Sequence, residues 1–445
     1  MMTKVIKIKK GLDIPLIGMV EEASITERQA CRIGISPEDY PGYTWKVAVK
    51  AGDKVKRGDA ILYAKEDERV SLTSPVAGEI ESVARGERRK IEYVSIKASA
   101  EQDQRDFGEM KSAAEREEML MRSGLFAMIR QRPFDIVPFS GIRPRDIFVT
   151  AFDTAPLATD MLQGVDLKDL ESGLKYLKEM TDGEVYLSVA KGSGISSNIA
   201  QVVEFAGPHP AGLVGTQIAA ISPVNKGEYV WTLDAVTAAR IGKFFTTKTL
   251  DFSTIVALTG EGVEKPKLVK TTIGVELSTL LKGEIKAGES KERVISGNVL
   301  TGKRVDPEAG FLGIPYRQVT VIDEGDQADE FMGWASLNPK KYSVSRTFPA
   351  FIFGLKKPYY FDSRIKGGHR AIIMSGEYDK VFPMDIYVEY LIKAIIAKDI
   401  EKMEQLGIYE VAPEDFALAE FVDTSKMELQ KIVREGLDYL RKETI

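Results

Sequence analysis

Among 445 residues there is one cysteine, Cys31, and there are two histidines, His209 and His369. One thiol cannot close an internal disulfide, and an iron–sulfur cluster takes four Cys ligands or His in their place. A tetrahedral zinc site would need both imidazoles, the thiol and a carboxylate to converge from distant segments. The expectation is a chain without a redox metal, in which Cys31 is a small core or strand residue. No apolar run approaches the roughly 20 residues that span a bilayer. The basic N-terminus, MMTKVIKIKKGLDIPLIG, lacks the apolar core and small-residue cleavage site of a signal peptide, so a cytoplasmic location is expected. Positive charge is not in excess either: 61 basic against 66 acidic side chains give a formal net charge of −5. That balance argues against a dedicated nucleic-acid binder.

What is present is an ordinary globular composition, 44% hydrophobic and 29% charged, on a chain long enough for about three domains. Residues 1–98 read as short strands broken by glycine turns, with alternation in WKVAV and VSL. Within them, AGDKVKRGDAILYAKEDERVSLTSPVAGEI has the rhythm of a biotinyl- or lipoyl-carrier barrel-sandwich domain. A carrier presents one lysine at a hairpin tip. Here the tip falls near Asp67 and Glu68, with Lys65 off the turn.

Residues 99–133 are a polar connector followed by MLMRSGLFAMIRQRP, whose apolar spacing predicts an amphipathic helix ending before Pro133. Residues 134–260 alternate strand-like DIFVTAF and EVYLSVA with helix-like LKDLESGLKYLKEM, SNIAQVVEFAG and TLDAVTAARIGKFF. That order predicts an open, Rossmann-like α/β domain, with TIVALTG as a further strand. Residues 261–330 suit a β-grasp, SLBB-like module. Residues 331–382 form a basic aromatic connecting region, and 383–445 read as three amphipathic helices, a small C-terminal bundle.

Two stretches carry candidate sites. VAKGSGISSN reads as a loop between a strand and a helix, where Gly192 and Gly194 would let the backbone approach a phosphate. The full GxGxxG and GxxxxGK[ST] strings are absent, as is GxSxG. The second stretch, KKYSVSRTFPAFIFGLKKPYYFDSRIKGGHR, holds five Lys and three Arg against one acid, Asp362. Lys356, Lys357, Arg364, Lys366 and Arg370 are candidates to face anionic headgroups or an acidic partner. Phe348, Phe351, Phe353, Tyr359, Tyr360 and Phe361 could fill a partner's groove, contact a hydrophobic ligand such as a quinone, or simply be buried beneath a solvated basic face. His209, between two prolines, has no positioned partner in sequence and reads as structural.

KIKKGLDIPLIG, SPVAGEIESVARGERR, HPAGLVGTQIAAISPVN, KPKLVKTTIG, RVISGNVLTGKRV, FMGWASLNPKKYSVSRTF and RAIIMSGEYDKVFPMDI occur in this order over almost the whole chain. Together they resemble the NqrA family of the sodium-translocating NADH:quinone oxidoreductases (Na+-NQR), which is itself similar to the flavoprotein subunit of respiratory complex I and to the RnfC protein of the Rnf complex. The resemblance implies a peripheral, cytoplasmic-side component of a bacterial membrane complex that uses NADH, flavins, an iron–sulfur centre, quinone and sodium ions. It implies partner subunits B to F, chiefly the membrane-embedded B, a place near quinone reduction, and no nucleic acid. The relatives' flavin loop GRGGAGFPTG has no counterpart here. Where many family members keep two cysteines in LALCxFVCPGK, this chain has FALAEFVDTSK, with Ala419 and Asp423 at those positions. The expected role is a scaffold without a redox cofactor of its own. The alternative is a flavin- or nicotinamide-binding electron-transfer protein, and a free-standing biotinyl or lipoyl carrier is a further rival.

Overall fold

In the computed structural model the described residues are 4–22, 24–286, 291–326, 341–346, 348–349, 352, 357–373 and 376–445. The sequence-derived roles of Phe351, Phe353 and Lys356 fall outside them.

The N-terminal unit is built on paired glycine turns. In KAGD and KRGD, Gly52 and Gly58 take positive φ, and Asp53 and Asp59 each accept the N–H of the lysine three residues earlier. A side chain at either glycine would be strained in that conformation. The turns feed a four-stranded sheet in the order Arg32–Ile35, Ile91–Ala98, Gly78–Arg85, Lys54–Val55, and a three-stranded sheet of Trp45–Val47, Ala60–Ala64 and Ser71–Thr73. Ile33, Ile61, Leu62, Val94 and Ile96 are fully buried in this unit's core. Cys31 is a correction to the expected buried position: it is exposed, on the bend just before Arg32–Ile35, and only its carbonyl joins the sheet, accepting Ala98 N–H at 2.9 Å.

The α/β unit has a six-stranded sheet among the described residues. Its order is Lys4–Lys7, Gln201–Ala206, Val185–Ala190, Ile147–Thr150, Val230–Asp234, Arg130–Arg132, all parallel except the last. The central apolar strands are buried on both faces, as a covered parallel sheet requires. Helix Leu167–Lys178 is capped by Asp166, whose side chain accepts from Lys168 N, and buries Leu170, Leu174 and Leu177. Each such side chain contributes roughly 1.5–3 kcal/mol of burial. It crosses helix Ala235–Thr247 at Gly173 and Gly242, where a Cβ would overlap a backbone carbonyl of the other helix.

Three expectations change here. SNIAQVVEFAG is a strand, Gln201–Ala206, inserted between Lys4–Lys7 and Val185–Ala190. MLMRSGLFAMIRQRP holds only the end of helix Ala113–Arg122, then a short turn and the strand Arg130–Arg132. The strand Lys4–Lys7, at the start of the chain, pairs with the α/β sheet rather than with the N-terminal unit.

A second six-stranded sheet runs Lys303–Arg304, Glu292–Ser296, Gln318–Asp323, Ser253–Thr259, Lys267–Thr272, Ile25–Glu27. TIVALTG is thus a strand, but of this sheet and not of the α/β one. C-terminal helices Val388–Ile396, Ile400–Gln405, Ala417–Val422 and Leu429–Thr444 enclose Leu391, Ile392, Phe416, Val433 and Leu437. Lys398, at positive φ, breaks the first predicted helix in two, and Gly407, also at positive φ, lies at its end. Among the described residues no helix is long and apolar enough to cross a membrane.

Candidate functional site

At the carrier-like hairpin the tip is closed by charge, not by a lysine. Arg69 donates to both Asp67 carboxylate oxygens, at 2.9 and 2.6 Å, and holds that carboxyl down to about 2. Glu66 accepts the Thr44 N–H at 3.0 Å, and Lys65 is exposed on the strand side, its N–H donated to Thr44 O. The turn is a salt-bridged loop that offers no amine at its apex.

The loop with Gly192 and Gly194 joins two adjacent parallel strands, Val185–Ala190 and Gln201–Ala206. Both glycines take positive φ and face open space. The helix N-terminus that would supply aligned N–H groups to a phosphate does not follow this loop; a strand does.

In an open α/β sheet the ligand crevice lies at the carboxyl ends of the strands, where the order of connections reverses. That reversal falls between Ile147–Thr150 and Val230–Asp234. Asp234 ends its strand and caps helix Ala235–Thr247 by accepting the Thr237 N–H at 2.7 Å. Arg317, just before strand Gln318–Asp323 of the second sheet, reaches into the same place and pairs with Asp234 at 3.2 Å. Burial pushes the Asp234 carboxyl up, but Arg317, the Thr237 N–H and Arg240 outweigh it and keep it below the usual aspartate range. The Asp234 carboxylate, held by Arg317, therefore occupies the anion position of the crevice. Beside it remains a cleft of about 330 Å³ lined by Asp153, Asp160, Lys270, Asn298 and Arg317. Its two carboxylates are poor company for a phosphate.

His209 is buried, with Nδ1 3.1 Å from Thr154 Oγ1 and its backbone N–H donated to Asp13. Burial depresses its pKa against the pull of Asp153 and Asp13.

A cavity of about 1110 Å³ lies where the second sheet, residues 341–373 and the C-terminal helices meet. It brings together three of the predicted basic residues, Arg364, Lys366 and Arg370. Arg364 and Lys366 turn in on Asp362, at 2.6 and 3.3 Å. Lys357 is exposed and is not part of the lining. Of the aromatics, Phe348 and Tyr359 are buried, Tyr360 is exposed, and Phe361 packs on Tyr342 with ring centroids 5.5 Å apart. Sequence reasoning missed most of the remaining wall. Ile14 and Leu16 arrive from the N-terminus, Arg293 and Ile322 from the second sheet, and Phe421, Lys426 and Met427 from the C-terminal region. The family strings KIKKGLDIPLIG, RVISGNVLTGKRV and the one around FALAEFVDTSK were the available signals.

The two positions where that string differs from the family are structurally spent. Ala419 is fully buried in the helical core. Asp423 is nearly buried and fully engaged: it accepts from Tyr378 Oη at 2.8 Å and from the N–H groups of Ser425 and Met427 at 2.9 and 2.7 Å. Among the described residues no group of three or more His, Cys, Asp and Glu side chains is arranged to hold a metal ion.

Comparison with known proteins gives three family matches in chain order. Residues 6–99 match the NqrA N-terminal barrel-sandwich hybrid domain, 111–250 the NqrA second alpha/beta domain and 255–306 the NQRA C-terminal domain. The NqrA component of the Na(+)-translocating NADH-quinone reductase of Yersinia pestis is 36% identical over 451 residues, covering 98% of this chain and 100% of the relative. Its counterparts in Pasteurella multocida and Neisseria meningitidis are 36% and 35% identical with the same coverage. A chain of a solved NAD+-reducing [NiFe]-hydrogenase aligns with 41% of this chain at 13% identity and a TM-score of 0.29, which carries no argument.

Proposed function

The chain belongs to the NqrA family of Na+-translocating NADH-quinone reductases, and from that premise we propose that it is the cofactor-free scaffold of the quinone-reducing part of such a complex. It sits peripherally on the cytoplasmic side, with the other subunits, chiefly the membrane-embedded B, as partners. Electrons pass through flavins and an iron–sulfur centre carried by those partners. Quinone approaches this chain at the cavity walled by Tyr342, Phe361 and Phe421. The order of the parallel strands, with one reversal, supports a Rossmann-like reading of the α/β domain, and the shared apolar core of the last helices supports a bundle.

The observation that carries the scaffold reading is the Arg317–Asp234 pair in the sheet's ligand crevice. A fold that keeps its architecture while a side chain takes the ligand's place is what separation of fold from function looks like. The test is titration of the purified chain with FMN and with NADH. No saturable binding at micromolar concentration is expected, and the visible spectrum of the untreated chain should show no bound chromophore. Stoichiometric FMN or NADH binding would favour the electron-carrier alternative.

A further inference from the structure

The cavity of about 1110 Å³ beside the C-terminal helices holds more positive charge than a neutral quinone ring requires. Its acids are already engaged: Glu377 pairs with Lys380 at 2.7 Å, Glu428 with Lys431 at 3.2 Å, and Asp362 with both Arg364 and Lys366. Asp423 is saturated by its three donors, and Glu420 accepts the Gln430 N–H at 2.8 Å. Among the described residues two cations of the lining are left over. Lys426 and Arg370 line the cavity, and neither forms an ion pair among the described residues. They are held together by backbone: Arg370 N–H donates to the carbonyl of Ser425, the residue before Lys426, at 2.9 Å. Burial pushes the Lys426 ammonium down, and nearby Arg370 adds to that against the pull of Asp423. A half-buried ammonium with an exposed guanidinium near it is relieved by an anion between them. Arg and Lys together suit phosphate, the one as a fork and the other as a point charge. The same cavity has an apolar side formed by Leu16, Leu300, Ile322, Phe421 and Met427. Its volume lies just above the range of small-ligand sites, roughly 300–1,000 Å³.

We infer that this cavity binds a phosphate-bearing amphiphile, its phosphate between Arg370 and Lys426 and its hydrocarbon along Leu16, Ile322 and Phe421. The site goes beyond the quinone reading and does not depend on it. A membrane phospholipid and a soluble phosphate share the headgroup chemistry, and only the first uses the apolar wall.

The experiment is native mass spectrometry of the detergent-solubilised full chain with added dioleoyl phosphatidylglycerol, dioleoyl phosphatidylcholine or inorganic phosphate. One phosphatidylglycerol per chain is expected, bound more tightly than phosphatidylcholine. Arg370→Gln with Lys426→Gln should weaken it roughly tenfold or more, with the melting temperature as the folding control. Arg370 is exposed, so the single Arg370→Gln variant, expected to weaken binding in the same direction, serves if the double variant does not fold. Phosphatidylglycerol binding that is unchanged in these variants would overturn the assignment. So would full displacement by an equal concentration of inorganic phosphate, which would mean that the apolar wall is unused. A neutral short-chain quinone tested in parallel keeps the two readings apart: its failure to bind removes the quinone proposal and leaves the lipid result standing.

Discussion

Arg132 carries its charge with almost no access to water. Its side chain is 1% exposed, and it pairs with Asp415, 2% exposed, at 2.6 Å and with Glu414 at 3.0 Å. It joins an edge strand of the α/β sheet to the C-terminal helices, and Gly215 leaves the space in which the pair sits. Burying two ions is repaid only by close geometry, and removing one partner strands the other. Asp415→Ala is expected to cost about 3–5 kcal/mol in denaturant unfolding. Arg132→Met combined with Asp415→Leu should recover most of that loss, and a double variant no better than Asp415→Ala would contradict the account. Glu261, with Glu414, is a residue through which pH should act, since burial pushes both carboxyls up to about 7. At Glu261, Asp323 and Glu292 add repulsion to that burial, against the Asp323 N–H and Lys286. An acid whose pKa is higher folded than unfolded stabilises the fold below its ordinary value and loses that contribution as pH rises through the folded one. Melting temperature should therefore fall between about pH 4.5 and 7, and Glu261→Gln should flatten that part of the profile. An identical slope in the variant would assign the titration elsewhere.

At the scale of elements, the helix pair Leu167–Lys178 and Ala235–Thr247 depends on Gly173 and Gly242 for its close crossing. Gly173→Ala should destabilise the chain by about 1–3 kcal/mol through overpacking, although alanine is the better helix former. Unchanged stability would mean that the helices separate without cost. Both helices were legible in the sequence, because a capping aspartate and a 3.6-residue apolar period agree in each. Gln201–Ala206 was not. Its alternation is brief, and Ser197 and Asn198 before it look like a helix cap. Ser197 instead accepts the N–H groups of Ile199 and Ala200 in a turn, and the parallel neighbours at 185–190 and 4–7 supply the strand's partners. The more distant of those partners lies outside any local window. The same applies to Lys4–Lys7 and Ile25–Glu27, each paired with a strand far along the chain, at 203–206 and 268–270. The basic strip was visible as composition. That Arg364 and Lys366 fold inward onto Asp362 while Arg370 meets Lys426 was not, since the wall between them is assembled from separate stretches of chain.

For the whole molecule, three β-containing units and a helical end pack into a body in which the carrier tip and the helix N-terminus of the α/β crevice are taken by the protein's own side chains, while the cavity beside the C-terminal helices stays open. The carrier hairpin ends in an Asp67–Arg69 pair, and the helix N-terminus in the crevice of the α/β sheet is taken by Asp234, itself paired with Arg317. Positive charge is concentrated in the region around 340–370 of an otherwise acidic chain, which makes that region the expected docking face. Lys356→Glu with Lys357→Glu should reduce co-purification with the membrane subunits, each reversal being worth about 1 kcal/mol near an anionic surface, and should leave the isolated chain's melting unchanged. Undiminished co-purification would place docking on another face. The most direct test of the cofactor-free scaffold is the composition of the complex with and without this chain. Removing it should abolish Na+-dependent quinone reduction while the flavin and iron per remaining complex stay the same. Loss of one flavin or of the iron together with this chain would contradict the account.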